Sequence, residues 1–323
     1  MKALVIGLGQ DGRLMLKQLL ADGLPFRSLI RRSSSSVALA AESGIPTENI
    51  LSCSIISAEL LADLHRGFAF THIFNFAANS FVQASNDNFR DYIDANSGIT
   101  WELLKFLKRE PETWMMQPLS SEILNDIPRD EADLNRCIEP RNAYGLSKLV
   151  DLHSCAIERQ VSGVRILSPI VYNHESRLRP AQFFSRKLLN YLQAGDSRPP
   201  ELRIYNCASV RDWGSAPEYM KILLDAAARG LSGTPLLGTG YGLTVERFVD
   251  HTLDTLGLTV EKQLKKGLLC WRGDGLNILE VDRDPADAER VVIANREMVE
   301  RFFGRAPQIF GADLVRELVH NEI

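Results

Sequence analysis

Lys2-Ala3-Leu4-Val5-Ile6-Gly7-Leu8-Gly9-Gln10-Asp11-Gly12 decides the architecture of this chain. Lys2–Ile6 reads as a short, fully buried strand. Asp11–Ala21 reads as a helix, closed near Gly23. Between them stand three glycines in G-x-G-x-x-G spacing. Glycine permits the tight turn and lets backbone approach a pyrophosphate closely, while the helix start offers free N–H groups to the phosphates. Alone, the pattern is weak and shared with ordinary glycine-rich turns. The strand–turn–helix context makes it a dinucleotide fingerprint. Gly7, Gly9, Gln10, Asp11 and Gly12 are therefore candidate cofactor residues.

Further strands are read at Pro25–Ile30, Ile50–Ile55, His72–Ala77, Trp114–Leu119 and Gly163–Val171. Helices are read at Ala58–His65 and Arg90–Lys108, with a long one after Pro140. Alternation of this kind predicts an α/β fold, a Rossmann doubly wound parallel sheet. Beyond Val171 the pattern loosens into helices at Ala181–Leu192, Ala216–Ala228, Glu246–Leu256 and Arg296–Phe303, with a loop over Ala194–Pro200. The expected organisation is a cofactor-binding, catalytic domain over 1–172. A smaller, mainly substrate-binding lobe over 173–323 interleaves with the sheet.

The second strand runs out into Ile30-Arg31-Arg32-Ser33-Ser34. An NAD site ends this strand in a carboxylate for the ribose hydroxyls, whereas a guanidinium suits a 2′-phosphate. Arg31, Arg32 and Ser33 thus point to NADP. Ala77, at the end of the fourth strand, completes the cofactor set.

Composition narrows the function. Among 323 residues, 45% are hydrophobic and 24% charged, and the net charge is −4. That balance gives no reason to expect nucleic acid or a membrane surface as partner, and no apolar run reaches the length of a span. The N-terminal apolar stretch reads as a buried strand and not as a secretory signal. Five scattered cysteines without a C-x-x-C pair fit a reducing, cytoplasmic setting, and six histidines without close spacing suggest no metal site.

The chemistry lies in Ser120, Glu122, Tyr144 and Lys148. Tyr144 and Lys148, four apart on a helix, share a face; Ser120 and Glu122, two apart, are read on one face of a strand. Tyrosine is a poor base because its ordinary pKa is roughly 10. A neighbouring ammonium favours the phenolate. Lys148 supplies that charge and can also reach the nicotinamide ribose, so Tyr144 and Lys148 count as cofactor residues too. Ser120 can donate to the same substrate oxygen. Glu122 adds a carboxylate base that a plain alcohol dehydrogenase does not need, which suits an elimination.

At these residues the sequence resembles the GDP-mannose 4,6-dehydratase family of extended short-chain dehydrogenase/reductases. Gly9-Gln10-Asp11-Gly12, Arg31-Arg32, Ser120-Ser121-Glu122 and the Tyr144/Lys148 pair match its motifs. Asn173-His174-Glu175-Ser176, the trio Phe183, Arg186 and Lys187, and Arg211-Asp212-Trp213-Gly214 match two more specific ones. The resemblance implies that Asn173, Lys187 and Arg211 hold the diphosphate of a GDP-sugar. It also implies a GDP-hexose 4,6-dehydratase with internally recycled NADP, working as a homo-oligomer, dimer or tetramer. The departures are a phosphate loop one residue shorter, Ile123-Leu124-Asn125 after the glutamate, Cys53 or Ser54 at an expected acidic position, and a shortened segment around Asp282–Asp287 where Arg283 is the candidate substrate contact. Two alternatives stay open: an NADPH-dependent reductase or epimerase of 4-keto-6-deoxy sugar nucleotides, and a catalytically silent NADP-binding regulator.

Overall fold

The computed structural model describes residues 1–81, 89–281 and 291–320, with the backbone alone for 34–37. Arg283 and the Asp282–Asp287 stretch lie outside the described residues.

The first strand, β1 (Ala3–Ile6), is buried along its whole length. A continuous apolar run suits the middle of a parallel sheet covered on both faces. It is flanked by β2 (Phe26–Arg31) and β4 (His72–Asn75), with β3 (Ile50–Cys53) beyond β2. On the other side follow β5 (Trp114–Met116) and β7 (Ile166–Leu167), giving the order β3-β2-β1-β4-β5-β7 with every pairing parallel. The short β6 (Leu119–Ser120) leaves this sheet. Chain direction across the sheet reverses between β1 and β4. That switch point opens the crevice in which such sheets bind dinucleotides.

Successive strand residues face opposite ways. Ala3 and Val5 join one hydrophobic core, Leu4 and Ile6 another. The first core receives α1 (Gln10–Ala21). The chain then adds α2 (Ser34–Glu42), which the serine-rich sequence hid. The other core receives α3 (Ala58–Phe68) and α4 (Phe89–Arg109). The four-residue α5 (Glu131–Leu134) precedes α6 (Ala143–Ser162).

Two strands read as continuous are broken. Trp114–Leu119 divides at Gln117-Pro118, and Gly163–Val171 divides at Ser168-Pro169. Proline has no N–H for a ladder. After each break the chain enters a small parallel sheet in which β8 (Ile170–Val171) lies between β6 and β12 (Leu236–Leu237). The break between β5 and β6 buries Gln117 between Asn75 of β4 and Asp151 of α6.

The second half holds more strand than its sequence pattern announced. β9 (Asn173–Glu175) pairs in parallel with β11 (Val210–Ser215), which also pairs β13 (Gly242–Thr244) and β17 (Val291–Val292). A mixed sheet runs β10 (Leu202–Ile204), β16 (Leu276–Glu280), β15 (Leu268–Gly273), β14 (Glu261–Lys265). α7 (Phe184–Gln193) and α9 (Val245–Thr255) pack on that side in a core of their own. By contrast α8 (Ala216–Ala228), together with Val299 and Phe303 of the helix Arg296–Phe303, joins the core of β1 and α1.

Candidate active site

The three fingerprint glycines have three different environments. Gly7 has φ of +93°, and a Cβ there would come within 2.9 Å of the Ala77 nitrogen. A Cβ on Gly12 would lie 2.0 Å from the Gly7 carbonyl oxygen, so α1 can seat against the turn only without a side chain. A Cβ on Gly9 would meet nothing within 4 Å. Open space above Gly9, next to the unpaired first N–H groups of α1, is what a bound pyrophosphate needs. Arg31 and Arg32 are exposed at the end of β2, and Ser33 follows them.

The side chains of Gln10 and Asp11, both read as cofactor residues, turn inward. Gln10 Nε2 donates to the His174 carbonyl at 3.1 Å, and its Oε1 accepts from Ser176 at 2.9 Å. Asp11 faces His174 Nε2 at 3.0 Å, and the His174 ring stacks on Tyr219. Burial alone would raise the Asp11 pKa, but the charge and hydrogen bond of His174 hold it at about 2. His174 is lowered by burial and raised more by Asp11, ending above its ordinary value. What Gln10 and Asp11 leave for a phosphate is their backbone N–H. Their side chains fasten the dinucleotide turn to the His174–Ser176 segment.

Glu122 is not on the strand with Ser120. The strand stops at Ser120, and Ser121–Ile123 forms one turn of 3-10 helix whose Glu122 N–H donates to Ser120 Oγ at 3.2 Å. That turn packs on α6 at Gly145, where a Cβ would stand 2.6 Å from the Glu122 carbonyl oxygen. Tyr144, partly exposed, sits one residue before that contact. The Lys148 ammonium lies 6.0 Å from the centre of the Tyr144 ring and donates to the Pro118 carbonyl at 3.2 Å. Ser120, Glu122, Tyr144 and Lys148 thus belong to two adjoining pieces of chain, the β5–β6 exit and the start of α6.

Asn142 joins those pieces and was not singled out in the sequence. Its Oδ1 accepts from Gly145 N at 2.7 Å, capping α6, while its Nδ2 donates to Glu122 Oε2 at 3.0 Å. Asparagine ahead of an Ala-Tyr-Gly start is an N-cap signal. Its second bond exists only in the fold. Asn142→Asp retains the cap but sets a carboxylate against Glu122. A second negative charge beside Glu122 opposes its ionisation. The acidic limb of a pH–rate profile should move up accordingly; an unmoved limb removes Asn142 from any role in tuning Glu122.

On the substrate side, Asn173 opens β9 and pairs in register with Trp213 of β11, two residues beyond Arg211. Asp212 is wholly buried and accepts from the backbone N–H groups of Thr239, Gly240 and Ala294. This carboxylate organises the loops around Arg211. Lys187 lies on α7 at a cavity of about 420 Å³ that Asn190, Tyr191, Glu201 and Arg203 also line. Lys187 Nζ donates to the Arg203 carbonyl at 2.9 Å. All five cysteines are free thiols, and no cluster of metal-ligating side chains occurs among the described residues.

With this geometry in view, the sequence pattern of GDP-mannose 4,6 dehydratase matches residues 4–318. The chain belongs to that family. It is 24% identical over 351 residues to GDP-mannose 4,6 dehydratase 2 of Caenorhabditis elegans, an alignment covering 99% of this chain and 88% of the relative. It is 24% identical over 319 residues to a GDP-mannose 4,6-dehydratase of Vibrio cholerae, covering 94% and 83%. Among solved structures, a dTDP-glucose 4,6-dehydratase from Streptomyces venezuelae with NAD and TYD bound superposes with a TM-score of 0.78 at 20% identity, covering 99% of this chain and 96% of that one. A Thermus thermophilus UDP-glucose 4-epimerase in complex with NAD gives 0.79 at 18% identity, covering 99% and 98%. At such identities the structures show a shared fold: the epimerase/dehydratase form of the Rossmann architecture with a smaller mixed sheet. No described helix is long and apolar enough to cross a membrane.

Proposed function

We propose that the protein is a GDP-hexose 4,6-dehydratase that recycles its own NADP. The observation that carries this reading is the Glu122 carboxylate, held by Asn142 on a turn packed directly against the Tyr144 helix. The relatives named GDP-mannose 4,6-dehydratases favour GDP-mannose as the sugar donor. Residues 1–172 would carry the cofactor and catalytic residues, and 173–323 most of the sugar-nucleotide contacts.

Gly7, Gly9, Gly12 and the N–H groups opening α1 would hold the pyrophosphate, with Arg31, Arg32 and Ser33 at the 2′-phosphate and Ala77 beside the turn. The bound nicotinamide supplies the chemistry of accepting a hydride from sugar carbon 4 and giving it back at carbon 6. Tyr144 accepts the proton of the 4-hydroxyl, with Ser120 donating a hydrogen bond to that oxygen. Ser120 can do so because its Oγ already accepts from Glu122 N, leaving its proton for a ligand. Lys148 favours the Tyr144 phenolate by its charge. A ketone at carbon 4 acidifies the neighbouring proton on carbon 5, which Glu122 removes. Glu122 then returns a proton to the hydroxyl leaving carbon 6. Asn173, Lys187 and Arg211 would bind the diphosphate, where charge-assisted donors are strongest.

Incubation of the purified protein with GDP-mannose and NADP+ should yield a sugar nucleotide lighter by one water, with no net gain or loss of NADPH. NADP+ should support this at lower concentration than NAD+. Steady consumption of NADPH on a 4-keto-6-deoxy sugar nucleotide, with no loss of water from GDP-mannose, would instead move the assignment to a reductase.

A further inference from the structure

Beneath the Tyr144 helix runs a file of buried polar side chains. The Ala77 N–H donates to Asn75 Oδ1 at 3.2 Å, and Asn75 Nδ2 donates to Gln117 Oε1 at 2.7 Å. Gln117 Nε2 donates to Asp151 Oδ2 at 3.3 Å, and the same oxygen lies 3.5 Å from Lys148 Nζ. Asn75, Gln117, Asp151 and Lys148 are each 3% exposed or less. The file starts at the turn that touches Gly7 and ends at the ammonium beside Tyr144. Burying four polar side chains costs free energy unless each is paired, and here the amides connect the two charges to the dinucleotide turn.

We infer that Asp151 is a positioning residue: it is the fixed counter-ion of Lys148 and, through Lys148, sets how readily Tyr144 gives up its proton. Asp151 lies three residues after Lys148 on α6, one turn further along the same face, and is wholly buried. Lys148 is suspended between Asp151 and the Pro118 carbonyl, which fixes the ammonium beneath the phenol. With Asp151 ionised, the carboxylate and ammonium together are neutral, and Tyr144 must become an anion beside a neutral pair. With the carboxylate removed, the site carries one more positive charge and releases its first proton at lower pH, whether the phenol or the ammonium yields it. Asp151 therefore restrains Tyr144, keeping the phenol protonated further into neutral pH than Lys148 alone would.

Among the described residues, the other groups around this cluster are few. Burial pushes the Asp151 carboxyl up, against the Lys148 charge and the Thr100 and Ser97 hydroxyls of α4, while Tyr92 of α4 faces Tyr144. From the β6 exit comes Glu122. One turn along α6, the Cys155 thiol is pushed up to about 12 by burial, with Asp151 adding to the effect, and stays neutral.

The inference rests on the reading of Tyr144 as proton acceptor, but its test needs no turnover. Failure of the titration is therefore separable from failure to dehydrate GDP-mannose. The full chain and its Asp151→Asn variant are titrated by tyrosinate absorbance, each against the same protein carrying Tyr144→Phe, so that the difference reports Tyr144 alone. Tyr144 should ionise about one pH unit lower in Asp151→Asn, a tenfold fall in proton affinity. A purely structural aspartate would lower Tm and leave the Tyr144 midpoint in place, and that result overturns the inference. A measurement on the unsubstituted protein guards against a variant that does not fold. The Asp151 carboxyl carbon, followed by NMR, should be ionised at neutral pH; a protonated Asp151 there is equally fatal.

Discussion

Glu122→Gln should produce a protein that forms NADPH when GDP-mannose is added and then stops. The amide keeps the shape of the side chain, and its oxygen can still accept from Asn142 Nδ2, so the turn at Ser121–Ile123 should hold. Oxidation at carbon 4 draws on Tyr144, Lys148 and Ser120, which the substitution leaves in place. Removal of the carbon 5 proton needs a base, and an amide is not one. Loss of a general base typically costs about 10²–10⁴ in rate. Three readouts should agree: NADPH absorbance that rises and persists, little dehydrated product, and no exchange of the carbon 5 proton with deuterated solvent. Tyr144→Phe should behave differently, forming no NADPH at all, because it blocks the first proton transfer. Product formation at the normal rate by Glu122→Gln would make Glu122 a bystander and remove the main support for a dehydratase.

Gly12→Ala and Gly9→Ala, two substitutions three residues apart, should both weaken NADP+ binding, but only the first through loss of stability. In Gly12→Ala the new methyl would meet the Gly7 carbonyl oxygen at 2.0 Å. The atom it meets is backbone in a turn pinned by Ala77, so α1 must lift away. Overpacking of this kind costs about 1–3 kcal/mol and outweighs the ~1 kcal/mol that alanine gains over glycine in a helix. Tm should fall markedly even without cofactor, and NADP+ binding should be lost as the helix start moves. In Gly9→Ala the methyl has 4 Å of clear space, so cofactor-free Tm should stay close to wild type. Affinity for NADP+ should nevertheless drop at least about tenfold, ~1.4 kcal/mol, because the methyl fills the approach to the pyrophosphate. Unchanged NADP+ affinity in Gly9→Ala would place the dinucleotide elsewhere. Unchanged Tm in Gly12→Ala would contradict the seating of α1 on the turn.

Much of the first half was open to reading from sequence alone, because its signals are local. A buried apolar run, a glycine turn and an amphipathic helix follow one another within Lys2–Ala21, and each is dictated by residues a few positions apart. Tyr144 and Lys148 share a helix face by spacing alone. The motifs around Asn173 and Arg211 were equally visible, and they named the family that the whole-chain comparison then showed. Strand ends fared less well. Pro118 and Pro169 break runs whose hydrophobicity carries straight through them, and the pattern of apolar residues does not register a missing N–H. The strands of the second half were missed because most are short and depend on distant partners; β14, largely exposed, reads Glu-Lys-Gln-Leu-Lys and is made a strand by β15 beside it.

What the sequence determined by itself, then, is which chemical groups this protein owns and the helix or turn on which most of them ride. Tertiary structure alone decided which way those groups face and what holds them. Asp11 was legible as part of the fingerprint, but the pairing of its carboxylate with His174, 163 positions away, was not. Glu122 was visible, but Asn142, which orients it, acts across 20 positions. Asp151 looked like any polar residue on a helix until Gln117, 34 positions earlier, and Lys148 were found closing over it. Hydrogen bonds and ion pairs of this range depend on how the chain crosses the sheet at β5, β6 and α6. Only the packed core brings those crossings within 3.5 Å of one another.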